Sequence, residues 1–450
     1  MRKRVAIVGG GIAGLSAALK VRELAPPKTE IIVYEQSGVL GGKLRTGSLG
    51  GVTVERGAES FLMGAPSGGP SAAARLAARL GLSLAHPAGL PAAVADPGGL
   101  SPLPAGTLMG IPASSSEEPS ADPLLAPDAD ISVGDLVSSR LGDSVVDRLV
   151  DPLLGGVYAG QASGLSLAAT IPALAAAARR EHTLAAAVRA AQAASRREPG
   201  APVFGTVDGG MTQLIAALAM ACGARISLGL PVRELSPTTH GWRLLLGPVP
   251  ATLIDDVHAV ILAVPSRPAA RLLDGIDPAA AATVGVLDYA SVALGGFALP
   301  PGTDLPSLSG FLVPPSRGTL VKAATFFTRK WTHLTGPDGP VVVRASLGRY
   351  GEQARLQHHD RTLLATAHAE LGDLIGTPLP PPAEAWVQRW GGGLPQYAPG
   401  HLDRVAAVRA ALAGRPGLAL AGAAYDGVGI PACVASGEAA AETVCKILED

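Results

Sequence analysis

Three glycines in the run Val8-Gly9-Gly10-Gly11-Ile12-Ala13-Gly14 restrict what this chain can fold into more than any other feature. They form Gly9-x-Gly11-x-x-Gly14 after residues 4 to 8, mostly β-branched and apolar, and before a helical stretch, Leu15 to Leu24, that Pro26 and Pro27 stop. Gly9 permits a tight turn, Gly11 lets backbone approach a pyrophosphate, and Gly14 lets helix and strand pack closely. Backbone N–H groups at the helix N-terminus then offer partial positive charge to phosphates. A second strand, Glu30 to Glu35, ends in a carboxylate 21 residues beyond Gly14, where it can accept hydrogen bonds from both ribose hydroxyls and repel a 2′-phosphate. Shortly after it, Gly41-Gly42-Lys43-Leu44-Arg45 supplies flexible backbone and cations, with Arg45 suited to a pyrophosphate oxygen.

At 450 residues the chain exceeds the ~250–300 at which one core stops growing, so two or three interleaved units are expected. Residues 64 to 130 combine a short helix, Ser71 to Leu80, with Pro-, Gly- and Ser-rich loops, of which 112 to 128 is the loosest and reads as a surface insertion. Helical patterning covers Val133 to Leu154, Leu167 to Arg197 and Thr212 to Ala221. Arg225 to Val232, Trp242 to Leu246 and Ala259 to Val264 read as strands, as do Val292 to Leu299 and Val341 to Leu347, which suit an antiparallel sheet. A last strand, Leu418 to Ala421, leads through glycines to the helix Cys433 to Leu448. Nucleotide-binding signals at both ends predict an α/β architecture with a discontinuous Rossmann-like domain from residues 1–64, 201–280 and 396–450. A mainly helical insertion, on the substrate-access or membrane side, takes 65–200, and an α+β substrate domain with an antiparallel sheet takes 281–395.

A balance of 36 basic to 37 acidic residues leaves no global field to hold nucleic acid. No apolar run reaches the ~20 residues of a transmembrane helix. The basic start, Met1 to Arg4, and the apolar stretch to Leu19 imitate a signal peptide, but Gly9 to Gly11 interrupt its centre. Cys222, Cys433 and Cys445 are odd in number and scattered, which suits a reducing cytoplasm. His358 and His359 would diverge by ~100° on a helix and make no chelating pair, so no metal site is expected.

The opening, the Gly41-Gly42 segment and Gly57-Ala58-Glu59-Ser60 resemble the flavin-containing amine oxidase superfamily. The run Ala421-Gly422-Ala423-Ala424-Tyr425-Asp426-Gly427-Val428-Gly429-Ile430-Pro431 is more specific, and resembles the porphyrinogen oxidases, above all the soluble bacterial type that acts on coproporphyrinogen III. Asp151 to Gly160, Gly209-Gly210-Met211 and Gly310 to Pro314 extend the resemblance over essentially the whole chain. It implies that Gly9, Gly10, Gly11, Ile12, Ala13 and Gly14 hold the pyrophosphate of FAD and Glu35 its ribose. It further implies that Gly42, Lys43, Arg45, Gly57, Ala58, Glu59 and Ser60 line the stretch leading to the flavin. The backbone of Val232 would meet adenine, and Ala423, Val428, Gly429 and Ile430 would lie against the isoalloxazine.

The resemblance also implies a reaction in haem biosynthesis. Six hydrogens leave a porphyrinogen in three two-electron steps, FAD is reoxidised by dioxygen, and hydrogen peroxide is released. The cofactor carries that chemistry, so no catalytic His or carboxylate is demanded and a wide apolar slot is expected instead. By resemblance Gly156, Val157 and Leu312 grip the macrocycle. Its propionates need cations, for which Arg179, Arg180, Lys322, Arg329 and Lys330 are candidates. Glu59 stands where relatives acting on protoporphyrinogen can carry an arginine for a propionate, a departure that favours the four-propionate substrate. Protoporphyrinogen IX is the alternative; an amine oxidase or carotenoid desaturase, or a flavin-binding module without catalysis, is more distant. The pair Ala423-Ala424, where amine oxidases commonly place a tyrosine, and an aromatic content of 4% argue against an amine cage. A transient contact with ferrochelatase is left open.

Overall fold

A computed structural model describes residues 2–66, 68–195, 200–336 and 338–448. Five strands form a parallel sheet in the order Arg225–Ser227, Glu30–Tyr34, Arg4–Val8, Ala259–Leu262, Leu418–Leu420. Both faces of this sheet are covered, which is why Val5 to Val8 and Ala259 to Leu262 are unbroken apolar runs. Helices Ile12–Leu24 and Ile430–Cys445 cover one face. Ser266–Leu273, Pro278–Gly285 and His401–Leu412 cover the other, together with an antiparallel meander of Val232–Thr238, Gly241–Leu246 and Leu253–Val257.

The first helix begins at Ile12, three residues before the expected start at Leu15, so Gly14 lies in its first turn and not in the loop. A Cβ at Gly14 would sit 2.0 Å from the Gly9 carbonyl oxygen, and one at Gly437 on the last helix 2.2 Å from that of Ala13. Small residues therefore let the two helices meet backbone to backbone; Ala13, Ala17, Ala18, Ala440 and Ala441 are all buried there. The single strand expected over Arg225 to Val232 is divided. Gly229, at φ 67°, and Pro231 turn the chain from the parallel sheet into the meander.

The second large sheet has seven strands in the order Glu384–Pro395, Tyr289–Leu299, Val341–Leu347, Val321–Phe326, Gly310–Leu312, Ala92–Asp96, Gly99–Pro102. All neighbours are antiparallel except Gly310–Leu312 with Ala92–Asp96. Helix and loops were expected over 64 to 130, without these last two strands. Ala92-Ala93-Val94-Ala95-Asp96 has little of the β-branched and aromatic character that marks a strand, and tertiary pairing overrides it. One face buries Phe297, Phe311 and Phe326 against the helix Asp360–Ile375. Residues alternating with that core, Leu312, Ala323, Thr325, Arg344 and Ser346, are half-buried on the opposite face and are paired in register.

A helical layer completes the fold. The continuous stretch expected over Val133 to Leu154 breaks after Leu141 at Gly142, φ 84°, then passes through a π-turn, Val146–Val150, into Asp151–Tyr158. That expected over Leu167 to Arg197 becomes Leu167–Thr170, Pro172–Ala178 and Leu184–Ala194, interrupted at Pro172 and again before Thr183; residues 196 and 197 lie outside the described residues. The loop 112–128 is fastened to this layer. Glu117 accepts hydrogen bonds from the Leu184 and Ala185 N–H groups, and Ser120 N–H donates to His182 O at 2.9 Å. No described helix is long and apolar enough to cross a membrane.

Replacing Gly437 with Ala forces a Cβ into the Ala13 carbonyl, and we expect a loss of about 1–3 kcal/mol in unfolding free energy. Urea unfolding followed by far-UV circular dichroism measures it.

Candidate functional site: a glycine-lined cradle and an adjoining slot

The strand Arg4–Val8 and the helix Ile12–Leu24 are joined by Gly9 to Gly11, with Gly9 at φ 111° and its N–H donating to Tyr34 O at 2.8 Å. A Cβ at Gly9 would lie 2.4 Å from Ala263 O, whereas one at Gly11 would meet nothing within 4 Å. Gly11 thus borders open space at the N-terminus of a helix that no side chain caps. Glu35 holds the turn in shape, accepting the Gly10 N–H at 2.7 Å and the Ser37 N–H at 2.8 Å. The next segment closes over the turn: Gly41 N–H donates to Gly10 O at 2.9 Å, and Gly42, at φ 57°, faces Gly11. Gly57 then packs on Lys43, whose carbonyl a Cβ would approach to 1.9 Å and which accepts the Ala58 N–H at 3.1 Å.

Burial pulls the Lys43 ammonium below its ordinary pKa, and no described carboxylate pairs with it. Open space at Gly11, an uncapped helix start and a half-buried cation without an acidic partner fit the diphosphate of a dinucleotide. Ile12 and Ala13 supply the first helical N–H groups. Val232 is on the same edge as Glu35, since Leu230, two residues earlier, donates its N–H to Glu35 O at 3.0 Å. On the other side Gly422 lies against Ala13 and donates to Ser436 Oγ at 2.9 Å, and Ser436 donates to Asp426 at 2.5 Å. That pins Ala423 and the turn Val428-Gly429-Ile430 beside the cradle; Tyr397 Oη donates to the Ala423 carbonyl. Arg45, expected at phosphate, has its guanidinium 5.8 Å from the centre of the Trp390 ring, which its own Nε1–H bond to Arg56 O holds in place at 2.8 Å.

Glu59 is buried, and both its oxygens are taken: Lys330 Nζ donates to one and Arg344 Nη2 to the other. Arg344 also donates to the carbonyls of Glu55, at 2.9 Å, and Gly57, at 3.1 Å, so the segment Gly57 to Ser60 is clamped to the seven-stranded sheet. Burial alone would raise the Glu59 pKa, but Arg344 and Lys330 outweigh it and bring it down to about 2. The sequence reading passed over Arg344, although a lone cation among the apolar residues of Val341–Leu347 is the signal that finds it.

Gly156 and Val157 lie on the helix Asp151–Tyr158, which passes over the half-buried face of the sheet. A Cβ at Gly156 would be 3.3 Å from the Leu312 side chain, so Gly156 and Leu312 come together, and Val157 beside them is 43% exposed. Lys322, buried, donates to Gly155 O at 2.9 Å; burial first, then Arg349 and Arg344, lowers its pKa to about 7. The larger cavity, of about 450 Å³, lies elsewhere, between the helical layer and the helices Pro278–Gly285 and His401–Leu412. None of the expected cofactor or substrate residues line it.

The family described as flavin containing amine oxidoreductase matches residues 12–445. The chain belongs to that family. It is an oxidoreductase of a flavin-containing family, and the cradle described above is where its dinucleotide fingerprint lies. It is 37% identical to a coproporphyrinogen III oxidase of Mycobacterium tuberculosis over 98% of this chain and 97% of that one. It is 30% identical to a coproporphyrinogen III oxidase of Bacillus subtilis over 98% and 97%. A solved structure from Exiguobacterium, named provisionally a protoporphyrinogen oxidase, superposes with a TM-score of 0.83 at 30% identity over 99% of both chains.

The depressed pKa of Glu59 gives stability that is full above its ordinary value of 4.5 and is lost as pH falls through about 2. Glu59→Gln leaves two half-buried cations without a counter-charge, so we expect a loss of about 2–4 kcal/mol at neutral pH. The variant should also lose less stability than the parent between pH 4.5 and 2, and unfolding free energies across that range check both expectations.

Proposed function

We propose that the chain is an FAD-dependent oxidase that converts coproporphyrinogen III to coproporphyrin III in haem biosynthesis. The observation that carries this reading is a cradle of the dinucleotide type, with open space at Gly11 and an uncapped helix start, in a chain alike over its full length to enzymes named for that substrate. Bound FAD supplies the two-electron acceptor for each of three dehydrogenations, with dioxygen taking the electrons onward to hydrogen peroxide. Gly9 to Gly14 and Lys43 hold its diphosphate, Glu35 its ribose and Val232 its adenine. Backbone at Ala423 and Val428 to Ile430 faces the ring system, and N–H groups there stabilise negative charge on it. Gly156 on the helix and Leu312 on the sheet lie together, and the macrocycle is assigned to the half-buried sheet face beside them. No His or carboxylate is assigned to the slot; the protein's contribution is orientation and exclusion of water.

Glu59 cannot hold a propionate, because like charges repel and both its oxygens are already paired with cations. Relatives of both names share this fold, so protoporphyrinogen IX is the second reading. We expect coproporphyrinogen III to give the higher kcat/KM, and equal or reversed efficiency under identical detergent and oxygen would overturn that choice. Anaerobic addition of coproporphyrinogen III should bleach the flavin, and admitting air should bring up the Soret band. A chain that binds FAD but is bleached by neither porphyrinogen would contradict the proposal.

The flavin should leave entirely on acid precipitation, since Gly422 to Pro431 contains no cysteine or histidine to link it covalently. Glu35→Ala should weaken FAD by about 1.5–3 kcal/mol through loss of charge-assisted acceptors to the ribose. Titration of apoprotein with FAD reads this directly, and an unchanged dissociation constant would remove Glu35 from the ribose.

A further inference from the structure

We propose that Lys322 is the cation that receives a propionate of the macrocycle, an inference that rests on the porphyrinogen reading above. Lys322 is the extra residue of a register shift in the strand Val321–Phe326, between Val321, paired with Leu347, and Ala323, paired with Ser346. Its neighbour Ala323 is the register partner of Leu312, and its ammonium reaches the carbonyl of Gly155, the residue before Gly156. It therefore stands beside the place where Leu312 and Gly156 meet.

The remaining candidates are committed elsewhere or lie away from that place. Lys330 is paired with Glu59. Arg329 faces the exposed Asp304 at 3.8 Å. Arg179 donates to Ala129 O at 3.1 Å in the helical layer, and Arg180 follows it, exposed, beyond the helix Pro172–Ala178. The cations nearest Lys322 have their own partners: Arg344 holds Glu59, and Arg349 donates to Thr319 O at 2.8 Å and Val313 O at 3.1 Å. Among the described residues no carboxylate forms an ion pair with Lys322. A buried ammonium whose neighbours are cations is unfavourable unless an anion joins it. The substrate brings carboxylates, and a charge-assisted N–H···O bond replaces the missing counter-ion.

The competing role is structural, with Lys322 merely fastening Gly155 near the end of its helix. Lys322→Met keeps an unbranched stem and removes the charge. We expect KM for coproporphyrinogen III, and Kd for the stable product coproporphyrin III, to rise about 10- to 100-fold while kcat changes less than about threefold. Lys322→Arg should recover most of that loss. A structural fastening would instead lower Tm and kcat with KM nearly unchanged, and that pattern overturns the proposal, as does an unaltered Kd in Lys322→Met.

Should Lys322→Met fail to fold, the parent protein still decides: coproporphyrin III and its tetramethyl ester are compared by fluorescence quenching. Equal affinity for acid and ester overturns the proposal, whereas weaker binding of the ester, with Lys322→Arg retaining the acid's advantage, supports it. A parent protein that neither binds coproporphyrin III nor turns over its porphyrinogen overturns the functional reading itself. An active parent with an unaffected Lys322→Met overturns only the role of Lys322.

Discussion

A single buried carboxylate joins the two halves of this molecule. Glu59 follows the glycine segment that closes over the dinucleotide turn, yet its partners, Arg344 and Lys330, belong to the seven-stranded sheet and the short helix after it. In a low-dielectric setting such a triad is stable only if every charge is met, and Arg344 achieves this by adding the Glu55 and Gly57 carbonyls to its bonds. The segment Gly57 to Ser60 and the half-buried face of the sheet are thereby fixed relative to each other. In the proposed complex a flavin and a macrocycle must be held within a few tenths of an ångström for transfer between them, and the clamp would serve that chemistry without touching it.

The cradle was legible because its demands are local. Gly9 and Gly14 are required by close backbone approach and Gly11 borders open space, and their spacing, the flanking strands and Glu35 are all written within thirty-odd residues of sequence. Boundaries were less so: Gly14 reads as turn but lies inside the helix, because its lack of a side chain serves packing on Gly9 and not the bend. The strands Ala92–Asp96 and Gly99–Pro102 were illegible for a different reason. The alanines of Ala92–Asp96 carry no period-two signal and it joins the sheet through residues 310–312, distant in sequence, while Gly99–Pro102 pairs only with Ala92–Asp96.

For the slot, the sequence offered residue types without partners. Five cations qualified by charge alone, and separating them required knowing which already had a carboxylate or a carbonyl. Glu59 shows the same limit from the opposite side. Its departure from a basic residue was visible in the sequence, but its use as a counter-ion to Arg344 was not, because the two are far apart in the chain and Arg344 lies in no recognisable motif.

Neither the half-buried Lys43 beside the glycine turn nor the buried Lys322, which has only the Gly155 carbonyl, has an acidic partner among the described residues, and burial depresses the pKa of each. Glu59 is met by Arg344 and Lys330, and Arg349 by two backbone carbonyls. A fold that leaves positive charge uncompensated loses stability, unless a ligand supplies the anion. In the proposed complex the diphosphate answers Lys43 and a propionate answers Lys322, so binding energy at each site includes relief of a penalty already present in the protein. That relief acts on the folded state alone, which makes ligand binding and fold stability two readings of one free energy.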